Sequence, residues 1–159
     1  RTVGIIPSQA IIAAIFFAIC FFILKKSRLG RYTYAIGSNE QTTKLSGVNV
    51  KKYQIIIFTI GGLAAALAGI VIASRLSIGS PLIGSGYEID AIASAAIGGV
   101  SMSGGEGSVA KTIAGAFILS VIRTGLNILG ISTSNQKIFI GVILIIVVAV
   151  DVLDKSKDN

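Results

Sequence analysis

Ala10-Ile11-Ile12-Ala13-Ala14-Ile15-Phe16-Phe17-Ala18-Ile19-Cys20-Phe21-Phe22-Ile23-Leu24 is an unbroken apolar run that stops at Lys25-Lys26-Ser27-Arg28. With Gly4 to Gln9 in front of it, the stretch reaches the ~20 residues that a helix needs to cross a ~30 Å hydrocarbon core. The bases behind it can keep their stems in lipid while their charged ends reach the headgroups. Lipid is therefore the solvent in which this chain has to be read. Its composition agrees: 53% of the 159 residues are hydrophobic and 13% are charged, against roughly 25% charged in a soluble domain.

Working outward, Tyr53 to Ser74 is a second uncharged span, closed by Arg75. Within it Gly61, Ala65 and Gly69 recur every four residues, the small-residue spacing of a helix packing face. Gly79, Pro81, Gly84 and Gly86 mark a loop between Leu76 and Tyr87. Ala91 to Val100 is apolar but too short to span alone, and five glycines follow between Gly98 and Gly107. The segment is a short crossing or a re-entrant one, and the short crossing keeps the later spans consistent with the charge rule. Thr112 to Ile131 and Ile138 to Val150 complete the set, followed by the charged tail Asp151 to Asn159. Seven of the fourteen Lys and Arg residues fall between Lys25 and Lys52, beside the single acid Glu40. This bias places that loop in the cytoplasm, and counting crossings from it places the C-terminal tail there too. The predicted fold is an all-α polytopic transmembrane helical bundle of about five membrane segments, one short or re-entrant. Residues 1–159 form a single membrane domain, with residues 25–52 as a cytoplasmic loop inside it. The apolar runs are longer than ordinary strands and lack the alternation of an outer-membrane barrel.

Several chemistries lose their centre at this stage. There is no His, and Cys20 is the only cysteine, so neither a disulfide framework nor the commonest general base is available, and no metal site is expected. The formal charge of +7 is explained by bases flanking apolar runs rather than by a nucleic-acid partner. The chain begins at Arg1 without a cleavage site after its first apolar run, and it reads as the C-terminal portion of something larger. Gly105-Glu106-Gly107-Ser108-Val109-Ala110-Lys111-Thr112 misses the phosphate-binding loop pattern only at Ala110. That pattern needs a strand before it and an acid later for magnesium. Here a glycine-rich membrane segment precedes it and no acid follows until Asp151. A glycine turn is expected, and the soluble nucleotide-binding enzyme stands as the remote alternative.

The candidate functional residues fall in three places. Arg123 and Asn127 lie four apart on one helix face. They are candidate solute-path residues, or Arg123 snorkels outward from a tilted helix. Glu88 and Asp90 stand at the external mouth of the short segment, as helix caps or as contacts for a docking partner. The loop from Gly30 to Val50 carries Tyr32 and Tyr34 among its bases, with Gly30, Gly37 and Gly47 as breakers. Asn39 is placed to cap a short polar helix that runs to Lys44 and ends at Gly47. A loop this organised suggests a surface that another protein holds, the alternative being a solvated basic loop that touches anionic lipid.

Gly30-Arg31-Tyr32-Thr33-Tyr34-Ala35-Ile36-Gly37-Ser38-Asn39-Glu40, followed by Lys44-Leu45-Ser46-Gly47-Val48-Asn49-Val50, resembles the cytoplasmic coupling region of monosaccharide ABC-importer permeases of the ribose type. Gly86-Tyr87-Glu88-Ile89-Asp90-Ala91-Ile92-Ala93, Ile97-Gly98-Gly99-Val100-Ser101, Gly104-Gly105-Glu106-Gly107 and Gly125-Leu126-Asn127-Ile128-Leu129-Gly130-Ile131 are similar to the blocks that follow in that family, in the same order. The resemblance covers roughly residues 29 to 153. Thr42 and Thr43 depart from it, standing where the family shows small residues, and Arg123 is bulkier and more charged than its counterpart. The resemblance implies a non-enzymatic permease subunit of the cytoplasmic membrane, with two copies enclosing a path for a small sugar. An extracytoplasmic binding protein would deliver the sugar, and a partner ATPase would use ATP, leaving this chain without a cofactor. It implies that Arg31, Gly37, Asn39, Glu40, Lys44, Ser46 and Gly47 contact the ATPase. A structural membrane subunit with no solute path is the alternative, and it predicts that transport survives disruption of the Asn39 to Ser46 helix.

Overall fold

A proline ends the extended start of the chain and a serine opens the first helix. In the computed structural model, which describes residues 2–3, 6–80 and 83–157, strands β1 (Thr2–Val3) and β2 (Ile6–Pro7) pair antiparallel ahead of that helix. Gly4, Pro81 and the end of the tail at Asp158 and Asn159 lie outside the described residues. The chain divides into two units, Arg1–Ser85 and Gly86–Asn159.

The first unit holds α1 (Ser8–Lys26), α2 (Arg28–Ser38), α3 (Glu40–Leu45) and α4 (Val50–Leu76). The two long helices of this unit bury almost nothing: no residue of α1 is buried, and in α4 only Val50 is. Phe22 is 66% exposed and Phe58 80%, surfaces that water would penalise and that hydrocarbon accepts without cost. Ser27 makes the sharp turn between α1 and α2, its hydroxyl accepting from the Gly30 N–H at 3.3 Å. A methyl group at Gly30 would overlap the Leu24 carbonyl, so this glycine permits a tight turn and does not break a helix. Gly37 likewise lies inside α2, and the expectation of two breakers is corrected. Leu29, Tyr32, Thr33 and Ile36 recur at helical spacing, an amphipathic stripe that outweighs the glycines. The Tyr32 ring packs edge-on against Tyr53 of α4, with centroids 4.6 Å apart. The Gly61, Ala65, Gly69 face of α4 is open, and a methyl at Gly61 or Gly69 meets nothing within 4 Å among the described residues.

The second unit holds α5 (Tyr87–Ile97), α6 (Val109–Ile128) and α7 (Thr133–Lys157). Ala93, Leu119 and Ile140, one from each helix, form its core, with Ile97 and Leu144 against them. α5 and α6 run antiparallel with their backbones nearly touching. A methyl at Gly98 would overlap the backbone at Lys111 and Thr112, and one at Gly115 would overlap the Ser94 carbonyl. α1, α4, α6 and the Thr133–Leu153 part of α7 are long and apolar enough to cross a membrane. α5 is the short segment: its 11 residues make a helix of about 16 Å, half the hydrocarbon core, so helix alone does not complete the crossing expected there. α7 also continues as helix through Asp151 to Lys157, into the expected charged tail.

Candidate functional site

Asn39 organises the segment between the first two long helices. It is the C-cap of α2 and the N-cap of α3, in extended conformation, and its side-chain oxygen accepts from the Thr42 N–H at 2.9 Å. Glu40 follows in the first turn and Lys44 in the last, both suited to the helix dipole. The Ser46 hydroxyl donates to the Thr42 carbonyl at 2.9 Å, and Gly47, at φ +81°, takes the left-handed conformation that ends the turn. Thr43 is buried, and its hydroxyl donates to the Asn39 carbonyl at 2.8 Å, so the larger side chain is accommodated with its polar atom satisfied. Arg31, Glu40, Lys44 and Ser46 are exposed. Leu45 is 88% exposed on a polar helix one turn from a charged surface, where lipid gives no account of it. Tyr32, Ala35, Asn39, Thr42, Ser46 and Val48 line an open groove beside it.

In the second unit the structure brings together residues that sequence placed apart. Arg123 Nη2 donates to Asp90 Oδ1, an ion pair joining α6 to α5. Glu88 folds back to accept from the Gly86 N–H at 3.0 Å at the start of α5. Asn127 Oδ1 accepts from Gln136 Nε2 at 2.7 Å, and the same nitrogen donates to the Ile131 carbonyl at 2.8 Å. Gln136 is 5% exposed, and it closes the turn between α6 and α7. Neither α2 nor the Asp90–Arg123 pair was foreseen. For α2 the stripe at Leu29, Tyr32 and Ile36 was the signal. For the pair it was opposite charges near the ends of two segments that the crossing order makes antiparallel.

At the other end of this unit Ser101 is buried; its hydroxyl donates to Asp151 Oδ2 at 3.3 Å and accepts from the Ser103 N–H at 3.2 Å. Gly104, Gly105 and Gly107 all have positive φ, and Val100 side-chain carbons lie 3.2 Å from a methyl position at Gly107. Helix α5 precedes this turn, so the strand that a phosphate cradle requires does not stand there. Among the described residues no three His, Cys, Asp or Glu side chains gather as a metal site.

The model of a family described as the branched-chain amino acid transport system / permease component matches residues 2–148. The chain belongs to this permease family. Among its relatives, the ribose import permease protein RbsC of Escherichia coli K12 is 45% identical over 95% of this permease chain and 47% of its own length. RbsC of Bacillus subtilis 168 is 40% identical over 92% and 45%. The xylose transport system permease protein XylH of Haemophilus influenzae is 40% identical over 96% and 40%. The permease chain thus spans about half the length of the curated relatives it matches. No solved structure matches it. Family and apolar helices together make it an all-α, multi-pass protein of the inner membrane.

Proposed function

We propose that the chain is part of the permease subunit of an ATP-driven importer that moves a monosaccharide, ribose or a similar simple sugar, across the cytoplasmic membrane by alternating access. The observation that carries this reading is the capped α2–α3 element set between two spans, with Leu45 held out at 88% exposure. A mere connector needs neither a shared cap at Asn39 nor an exposed leucine; a docking surface needs both a fixed shape and an apolar contact. Residues 25–52 lie in the cytoplasm, where their bases satisfy the charge bias. Arg31, Gly37, Asn39, Glu40, Lys44, Ser46 and Gly47 shape or contact the ATPase surface, which transmits closure by rigid-body movement of packed helices. The sugar class follows from the relatives named for ribose import and xylose transport. The four spans and α5 belong to one membrane domain, a second copy completes the path, and a binding protein delivers the sugar at the external face.

The test is uptake of labelled ribose, xylose and allose into vesicles carrying the full-length permease, its ATPase and its binding protein. ATP-dependent accumulation of ribose or a close relative is expected. No accumulation of any monosaccharide overturns the proposal. Uptake that survives helix-breaking changes between Asn39 and Ser46 overturns the coupling role.

A further inference from the structure

Each helix of the second unit gives one residue to the core, Ala93, Leu119 and Ile140. One helical turn from each, toward the same end, stand Asp90, Arg123 and Gln136. They form a polar layer on the apolar one, with the Asp90 and Arg123 side chains 19% and 32% exposed and Gln136 5%. Arg123 Nε is buried without a hydrogen-bond partner among the described residues, so the guanidinium is held chiefly by Asp90. Glu88 and Lys137 are the other charges that act on Asp90, and Lys137 reaches the start of α5 at Gly86. Two acids from α5 thus face one base from α6 and one from α7, a balanced set. Arg123 lies five residues before the end of α6 at Ile128, about 7 Å inside it. An arginine so near a helix end can snorkel to the headgroups when it has no partner; here it turns to Asp90 on α5 instead.

We propose that Asp90 and Arg123 are positioning residues for transport: their ion pair seats the short helix α5 on α6, so that α5, α6 and α7 move as one body when the permease alternates its access. This rests on the importer reading above. The glycine contacts at Gly98 and Gly115 already fix the far end of α5 against α6. Beyond them and the apolar core at Ala93 and Leu119, the first turn of α5 is joined to α6 by the Asp90–Arg123 pair. The ion pair supplies the second anchor, and two anchors along a short rod remove the rocking motion that would absorb a rigid-body signal.

The experiment uses the full-length permease with its ATPase and binding protein, comparing Asp90→Asn, Arg123→Gln and the double variant. Each single change strands a charge, so maximal uptake at matched membrane levels falls by roughly tenfold while KM stays within about twofold. The neutral double variant recovers to within about threefold of the parent, a coupling that independent residues do not show. The thermal midpoint in detergent follows the same pattern and needs no transport, so failure of the importer reading is seen separately, as absent uptake by the parent. If a single variant does not accumulate, accumulation and uptake by the double variant decide. Singles that behave as the parent, or a double variant as poor as the two singles combined, overturn the pairing. Recovery of stability without recovery of uptake overturns the positioning role.

Discussion

Gly115 and Gly125 share one helix and have opposite surroundings. The first faces the Ser94 carbonyl with no room for a methyl group, whereas the second has nothing within 4 Å. Gly115→Ala forces backbone apart from backbone and is expected to cost about 1–3 kcal/mol. Gly125→Ala removes a flexible residue from a helix interior and is expected to gain about 0.5–1 kcal/mol. The check is the thermal midpoint in detergent, which falls for the first and holds or rises for the second. Asn39 serves two helices, its backbone N–H donating to the Ala35 carbonyl at the end of α2 and its side chain opening α3. Asn39→Ala loses the bond to Thr42 and should cost about 1 kcal/mol. Trypsin should then cut faster at Lys44 in permeabilised membranes, and Asn39→Asp should restore protection.

Among the described elements, α3 is a polar helix outside the spans that holds a leucine 88% exposed. On the proposed coupling role, Leu45→Glu keeps the helix and removes its apolar side chain, so it should abolish sugar-stimulated ATP hydrolysis while the permease accumulates normally. Unchanged stimulation would mean the leucine docks nothing. This element also shows what was legible in sequence. The Asn39 cap and the Gly47 stop rest on local chemistry, a side chain bonding three residues ahead and a residue tolerating positive φ, and both were readable from single positions. α2 was not, because Gly30 and Gly37 resemble punctuation until the turn at Ser27 shows that Gly30 is needed for clearance. The Asp90–Arg123 pair depends on residues 33 apart, contact information that periodicity does not carry. The long helices were plain, since an apolar run of that length has only one stable form in lipid.

For the whole molecule, the distribution of bases predicts which side of the membrane each end of a span occupies. A Lys44→Cys variant in an otherwise cysteine-free background, Cys20→Ala included, should resist membrane-impermeant maleimides added to intact cells and react once the cells are opened. Labelling from outside would invert every span.

The brevity of α5 also bears on how the protein is made. A helix of 11 residues with two carboxylates in its first turn is a poor candidate for release from a translocon into lipid on its own. Its backbone partner, Gly115, is synthesised later, so α5 must wait in or beside the channel until α6 has emerged. Nascent chains stopped before Gly115 should leave residues 87–98 open to cleavage by an added protease, and chains extended past Ile128 should lose that sensitivity in a single step, integrating as a hairpin.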